Sequence, residues 1–127
     1  MASPAAQPTR CRGVAGQAAV EFALALPIVV LLTLGLLTVG VAVRNELAVE
    51  LAAREAARAA SVSADPGAAQ AAAHRAVALP IEVSLVDDGT HVTVTASYTD
   101  PGGVAILGAV IGATTHTATV TMRIEPP

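Results

Sequence analysis

Hydrophobic and polar positions divide the chain into three regimes. From Phe22 to Val43 there are 22 residues without a charge. As a helix rising about 1.5 Å per residue they would span about 33 Å, close to the thickness of a bilayer's hydrocarbon core. From Arg44 the pattern becomes amphipathic without a helix breaker, so the same helix is expected to run on into water as RNELAVELAAREAARAASV. Glu46, Glu50, Arg54 and Arg58 recur every fourth residue as one charged stripe, with Glu50 and Arg54 in the favourable i,i+4 order. The opposite side is assigned to Leu47, Val49, Leu51 and many alanines. Ser63-Ala-Asp65-Pro66-Gly67 ends this helix near Val62, and a second, Ala68 to Leu79, is expected to stop before Pro80.

Beyond Pro80 the period changes to two. Ile81, Val83 and Leu85 share a face in a first strand; Val92, Val94, Ala96 and Tyr98 do so in a second, and Ala118, Val120, Met122 and Ile124 in a third. Threonine and serine fill most of the alternate positions, the pattern of half-buried strands. Asp88-Gly89 supplies a tight turn between the first two strands, and its acidity suits hairpin chemistry better than calcium binding. The apolar run from Val104 to Ala113, with Gly108 and Gly112 in GxxxG spacing, is too short to cross a bilayer and reads as a loop or helical turn that dips to a membrane surface or a partner. Within the span, Pro27 removes a helix hydrogen bond and invites a kink. Gly35 and Gly40, five apart, hint only weakly at close helix packing.

Composition narrows the picture. The 84 residues after Val43 in a chain of 127 suffice for one small domain. Aromatics are limited to Phe22 and Tyr98, so the outer core must be built from Val, Ile, Leu and Ala and should be marginal without membrane anchorage or partners. A formal charge of −3, with no lysine and no arginine cluster, excludes a nucleic-acid footprint. Cys11, the one cysteine, forms no intrachain disulfide. It is no lipidation site either, because Pro8-Thr9-Arg10 precedes it where an apolar run would be needed. A secretory signal peptide is disfavoured, since the apolar run is too long and no small-x-small site closes it before Arg44.

The start of the span carries the most specific signal. Met1 to Gly13 is an Ala-, Pro-, Ser- and Arg-containing tail with nothing to bury, expected to be disordered. Arg10 and Arg12 precede Gly16; Glu21 stands five positions after that glycine, and Phe22 follows it. A carboxylate at the mouth of an apolar span costs free energy unless it reaches headgroup level or finds a cation. This arrangement resembles the class III prepilin signal of type IV pilin-like proteins. Gly16-Gln-Ala-Ala-Val-Glu21-Phe22-Ala-Leu-Ala-Leu-Pro27 is especially similar to the TadE/TadG-like pseudopilins of tight-adherence (Flp-type) pilus systems. The resemblance implies a prepilin peptidase that cuts after Gly16, Gln17 as the new terminus, and Glu21 as the glutamate needed for processing or assembly. Phe22 stands where major Flp pilins usually carry Tyr, and those chains end soon after the helix. Both departures fit a minor, pilin-like component.

Catalytic chemistry finds little support. His74, His91 and His116 fall on three different elements and read as lone histidines on exposed faces; no GxSxG elbow, phosphate loop or dinucleotide fingerprint is present. An enzyme would need a pocket holding His91 or His116 beside carboxylates. The expectation is therefore an α+β, single-pass protein without catalytic, metal or cofactor sites. Residues 1–16 are a leader, 17–43 the transmembrane helix, and 44–127 an extracytoplasmic domain with a small three-stranded antiparallel sheet. Its expected partners are the membrane, prepilin peptidase, other pilin-like subunits and Tad pilus assembly proteins, with no nucleic acid. The alternative is an unprocessed anchor that presents a small binding domain at the cell surface. Two arginines before the span and three soon after it leave orientation undecided by charge. The short tail and the resemblance place the N-terminus in the cytoplasm.

Overall fold

The computed structural model describes residues 12–102 and 112–125. The tail before Arg12, Cys11 included, and nearly all of the apolar run from Val104, with its Gly108, lie outside the described residues. Helix α1 (Arg12–Ser63) is followed by α2 (Pro66–Ala76) and strands β1 (Glu82–Asp87), β2 (His91–Asp100) and β3 (Thr114–Arg123). α1 therefore begins inside the tail that the sequence leaves unstructured, at Arg12 rather than after Gly13. The chain divides into two compact units, Met1–Gly35 and Leu36–Pro127.

In the first unit, α1 passes through Pro27 without interruption. Val20, Phe22, Leu24, Leu26 and Ile28 to Leu32 are all exposed. The Thr33 hydroxyl donates to the carbonyl of Val29 at 2.8 Å and hides its polarity within the helix. Among the described residues, α1 is the one helix long and apolar enough to cross a membrane.

In the second unit, the rest of α1 buries a face made almost wholly of alanine. Val49, Ala52, Ala53, Ala56, Ala57 and Ala60 are fully buried. They pack with Ala69 and Ala73 of α2, with Ile81, and with Val92, Val94 and Ala96 of β2. Alanine keeps the helix backbone close to the sheet and loses no rotamer freedom on burial, so a core without aromatics still closes. The assignment of Leu47 and Leu51 to this face is corrected: they are 61% and 46% exposed. At about 100° per residue they lie on the side of Arg54 and Arg58, not of Val49. The expected Glu50–Arg54 pair forms at 2.6 Å.

α1 ends at Ser63, and Ala64 takes a left-handed conformation (φ 49°) while its N–H still reaches the carbonyl of Ala60. Asp65 then caps α2, its carboxylate accepting from Gly67 N at 3.0 Å and Ala68 N at 3.1 Å, with Pro66 in the first turn. α2 starts two residues earlier than the sequence indicates and ends three earlier, at Ala76. Val77 is extended, and it and Leu79 pack against the core from outside the helix. That burial, together with Pro80 forcing Leu79 out of the helical region, outweighs the helical pattern.

The sheet is antiparallel with order β1-β2-β3. Val83 faces Ala96 and Leu85 faces Val94 across β1 and β2; Val94 faces Val120 and Ala96 faces Ala118 across β2 and β3. These pairs form the face over the helices, as the period-two reading requires. The outer face is a hydroxyl surface: Thr93 meets Thr121 at 2.9 Å, Thr95 meets Thr119 at 3.1 Å and Thr99 meets Thr115 at 3.1 Å. At the hairpin, Gly89 has φ 81°, and Asp88 Oδ1 accepts from the N–H groups of His91 (2.6 Å) and Thr90 (2.8 Å). The His91 bond, then the Thr90 bond, hold the Asp88 carboxyl below its ordinary range.

Candidate functional site: the N-terminal helix and its attachment to the sheet

The residues singled out at the start of the span occupy consecutive turns of α1. Gly16 is exposed, and a Cβ added there would meet nothing within 4 Å. Gln17 lies one turn before Glu21, and its amide donates to Glu21 Oε1 at 3.1 Å on the exposed surface. Phe22 is 69% exposed. The four residues thus form a surface on one short stretch of helix, with a single carboxylate, one amide partner within the chain, and a bulky apolar ring beside it. Glu21 can accept further hydrogen bonds or a cation at its second oxygen.

Sequence reasoning missed the polar contacts that fasten α1 to the sheet just beyond the span. Asn45 is 6% exposed on the alanine face, one turn before Val49, and its amide donates to Asp100 Oδ2 at 2.9 Å. The other Asp100 oxygen accepts from Gly102 N at 2.9 Å. On the next residue of α1, Glu46 Oε2 accepts from His116 Nδ1 at 2.8 Å, with His116 only 8% exposed. His116 is therefore no exposed lone histidine: it continues the inward row of Ala118, Val120 and Met122. The signal was legible, since Asn45 is the one amide in the alanine face and His116 keeps the parity of that row. Together the two bonds join α1 to the ends of β2 and β3 nearest the span.

A third attachment joins α2 to β1. The Gln70 amide donates to the carbonyl of Ile81 at 2.8 Å, while its oxygen accepts from Val83 N at 3.1 Å. The same nitrogen meets His74 Nε2 at 2.6 Å, so that ring nitrogen accepts. His91, on the hairpin, lies 4.0 Å from Asp88 Oδ2. His91 and His116 each stand beside a carboxylate, and neither is among the residues that line two crevices formed by the described residues. One lies between α1 and α2 with Arg58 and Arg75 at its rim, the other beside Tyr98 and Pro80. Among the described residues no group of three or more His, Cys, Asp or Glu is placed to hold a metal ion.

A long helix with an apolar, unburied N-terminal half, carrying a small α+β domain on its second half, defines the class: an α+β protein with one candidate membrane span. Residues 16–58, roughly a third of the chain, match the family described as TadE-like protein, and over this stretch of α1 the chain is similar to that family. The match opens on Gly16 and closes on Arg58, within the second half of α1. No curated protein and no solved structure matches the chain.

Proposed function

We propose that the protein is a pseudopilin or minor pilin-like subunit that takes part in assembling a tight-adherence, Flp-type pilus, and that prepilin peptidase cuts it between Gly16 and Gln17. The observation that carries this reading is the coincidence of the TadE-like match with the motif and the span: all three begin within a few residues of Gly16. Its role is structural, without catalysis or cofactor. After the cut, the α-ammonium of Gln17 and the carboxylate of Glu21 stand one turn apart at the edge of a low-dielectric region. An unpaired carboxylate there costs a few kcal/mol, and the Gln17 ammonium of an adjacent pilin-like subunit removes that cost. The subunit resides in the cytoplasmic membrane with its N-terminus inside and residues 44–127 outside, or enters the fibre.

The second reading, an unprocessed anchor, draws on one feature: α1 starts at Arg12, so the Gly16–Gln17 bond lies within helix and a peptidase would have to unwind that turn. Intact mass of the protein from cells with an active prepilin peptidase separates the two. Loss of the first 16 residues, and retention of them in Gly16→Ala, is expected; a full-length mass overturns processing. Glu21→Gln should insert normally but cross-link less to other pilin-like subunits. Assembly like wild type would leave Glu21 an interfacial residue and remove the charge pair from the mechanism.

A further inference from the structure

Beyond Leu51, two large apolar side chains are exposed among the described residues, Val62 at 71% and Val86 at 68%. Their surroundings carry opposite charge. Val62 lines a crevice of about 460 Å³ between α1 and α2, with Ala59, Ala72 and Ala76 on its walls and Arg58 and Arg75 at its rim. Alanines on both helices are too short to fill the space between them. Arg58 Nε lies 3.4 Å from Glu55 Oε2, whereas Arg75 has no hydrogen bond or ion pair among the described residues. The crevice thus holds two guanidinium groups against one carboxylate, although residues 44–127 contain five arginines and nine carboxylates.

Val86 stands on the β1–β2 hairpin and is followed directly by Asp87 and Asp88. Asp87 Oδ1 accepts from Gly89 N at 2.7 Å, which fixes the side chain and leaves its second oxygen for a cation. The N–H groups of His91 and Thr90 hold the Asp88 carboxyl below its ordinary range, so it is ionised at neutral pH. Glu46 and Glu50 also adjoin exposed leucines, but His116 and Arg54 already take them. The hairpin tip therefore presents an exposed valine beside two fixed carboxylates, and the crevice an exposed valine beside two guanidinium groups.

We propose that the crevice between α1 and α2 receives the β1–β2 hairpin tip of a second copy of this chain. Val86 of one copy packs on Val62 and the crevice alanines of the other, while Asp87 and Asp88 meet Arg75 and Arg58. Like does not fit like: hairpin against hairpin sets aspartate on aspartate, and crevice against crevice sets arginine on arginine. Val86 pairs in register with Thr93 and shares the outer hydroxyl face, whereas α1 and α2 cover the other face of the sheet. Sites on opposite sides of the sheet cannot be joined twice within one pair of copies. The contact is head-to-tail, and it repeats from copy to copy.

Disulfide trapping of the full-length protein, in membranes of the cells that make it, tests this. Two differently tagged chains, Val62→Cys and Val86→Cys, each in a Cys11→Ser background, are produced together and mildly oxidised. The mixed dimer should exceed either like dimer severalfold, and Val62→Cys with Thr119→Cys, at the middle of the outer face, should give little. One chain carrying both cysteines should give a ladder beyond the dimer; a product that stops at the dimer overturns the head-to-tail contact. Asp87→Asn keeps the acceptor for Gly89 N but removes the charge, and Arg75→Gln removes its counterpart at the exposed rim. Each should lower the mixed-dimer yield about threefold, and the two together should lower it no further. Losses that multiply, or undiminished yield in either variant, overturn the proposal. So does a mixed dimer no more abundant than the like ones, or capture of a different protein in preference to this chain.

Discussion

Individual side chains in this domain matter most where they stand in for missing backbone partners. Gln70 satisfies Val83 N and Ile81 O at once, so Gln70→Leu, similar in size, leaves both without partners. The expected loss is about 1–3 kcal/mol, read as a lower thermal midpoint of the full-length protein in detergent. Asp88 works in the same way on the hairpin. Its carboxyl is held below the ordinary aspartate range by the N–H groups of His91 and Thr90, so the unfolded chain takes up its proton first as pH falls. The contribution of Asp88 is thus present above the ordinary aspartate pKa and is lost as pH drops through the lower, folded-state value. Wild type should lose more stability than Asp88→Asn on acidification across that window, as measured by denaturant midpoints; equal losses would remove the carboxylate from the account.

The decisive element is the second half of α1, whose contact face is nearly all alanine. Such a face supplies little apolar area per residue, so the core depends on closeness of approach rather than on large side chains. Ala56 is fully buried at its centre. Ala56→Leu forces helix and sheet apart and should destabilise by about 1–3 kcal/mol or more, whereas Ala59→Leu, on the rim, should be far milder. Comparable thermal midpoints for the two variants would show that the helix does not seat on the sheet as described. The same logic explains the exposure of Leu47 and Leu51. Only small residues fit beneath the sheet, and the leucines stand on the side of the helix that the protein itself leaves open.

For the whole molecule, the consequence of membrane anchorage is directional. In the orientation proposed above, with the N-terminus in the cytoplasm, the β1–β2 hairpin lies outside. Thr90→Cys, exposed on that turn, placed in a Cys11→Ser background should react with a membrane-impermeant thiol reagent in intact cells. Labelling only after lysis, with the envelope barrier controlled, would reverse the orientation. The mass measurement on the mature N-terminus is independent of this result, so processing and orientation are decided separately.

The long helix through the uncharged stretch from Phe22 to Val43 and the period-two strands were legible because each rests on local spacing: rise per residue or alternation across a pleat. Local spacing also placed the Asp88-Gly89 turn and the end of α1 to within a residue of Ser63. It failed where a choice between two locally acceptable states was made by distant residues. The helical pattern of Val77 to Leu79 yielded to burial against the core, and Leu47 and Leu51 lost the contact face to alanines that allow closer approach. The contact of His116 with Glu46, 70 residues earlier, was missed, although the parity of His116 with Ala118 and Val120 already placed it on the inward face. The contact of Gln70 with the backbone of Ile81 and Val83 was equally beyond sequence alone, since every strand carries the same backbone groups and only the packing of α2 against β1 selects the ones it meets.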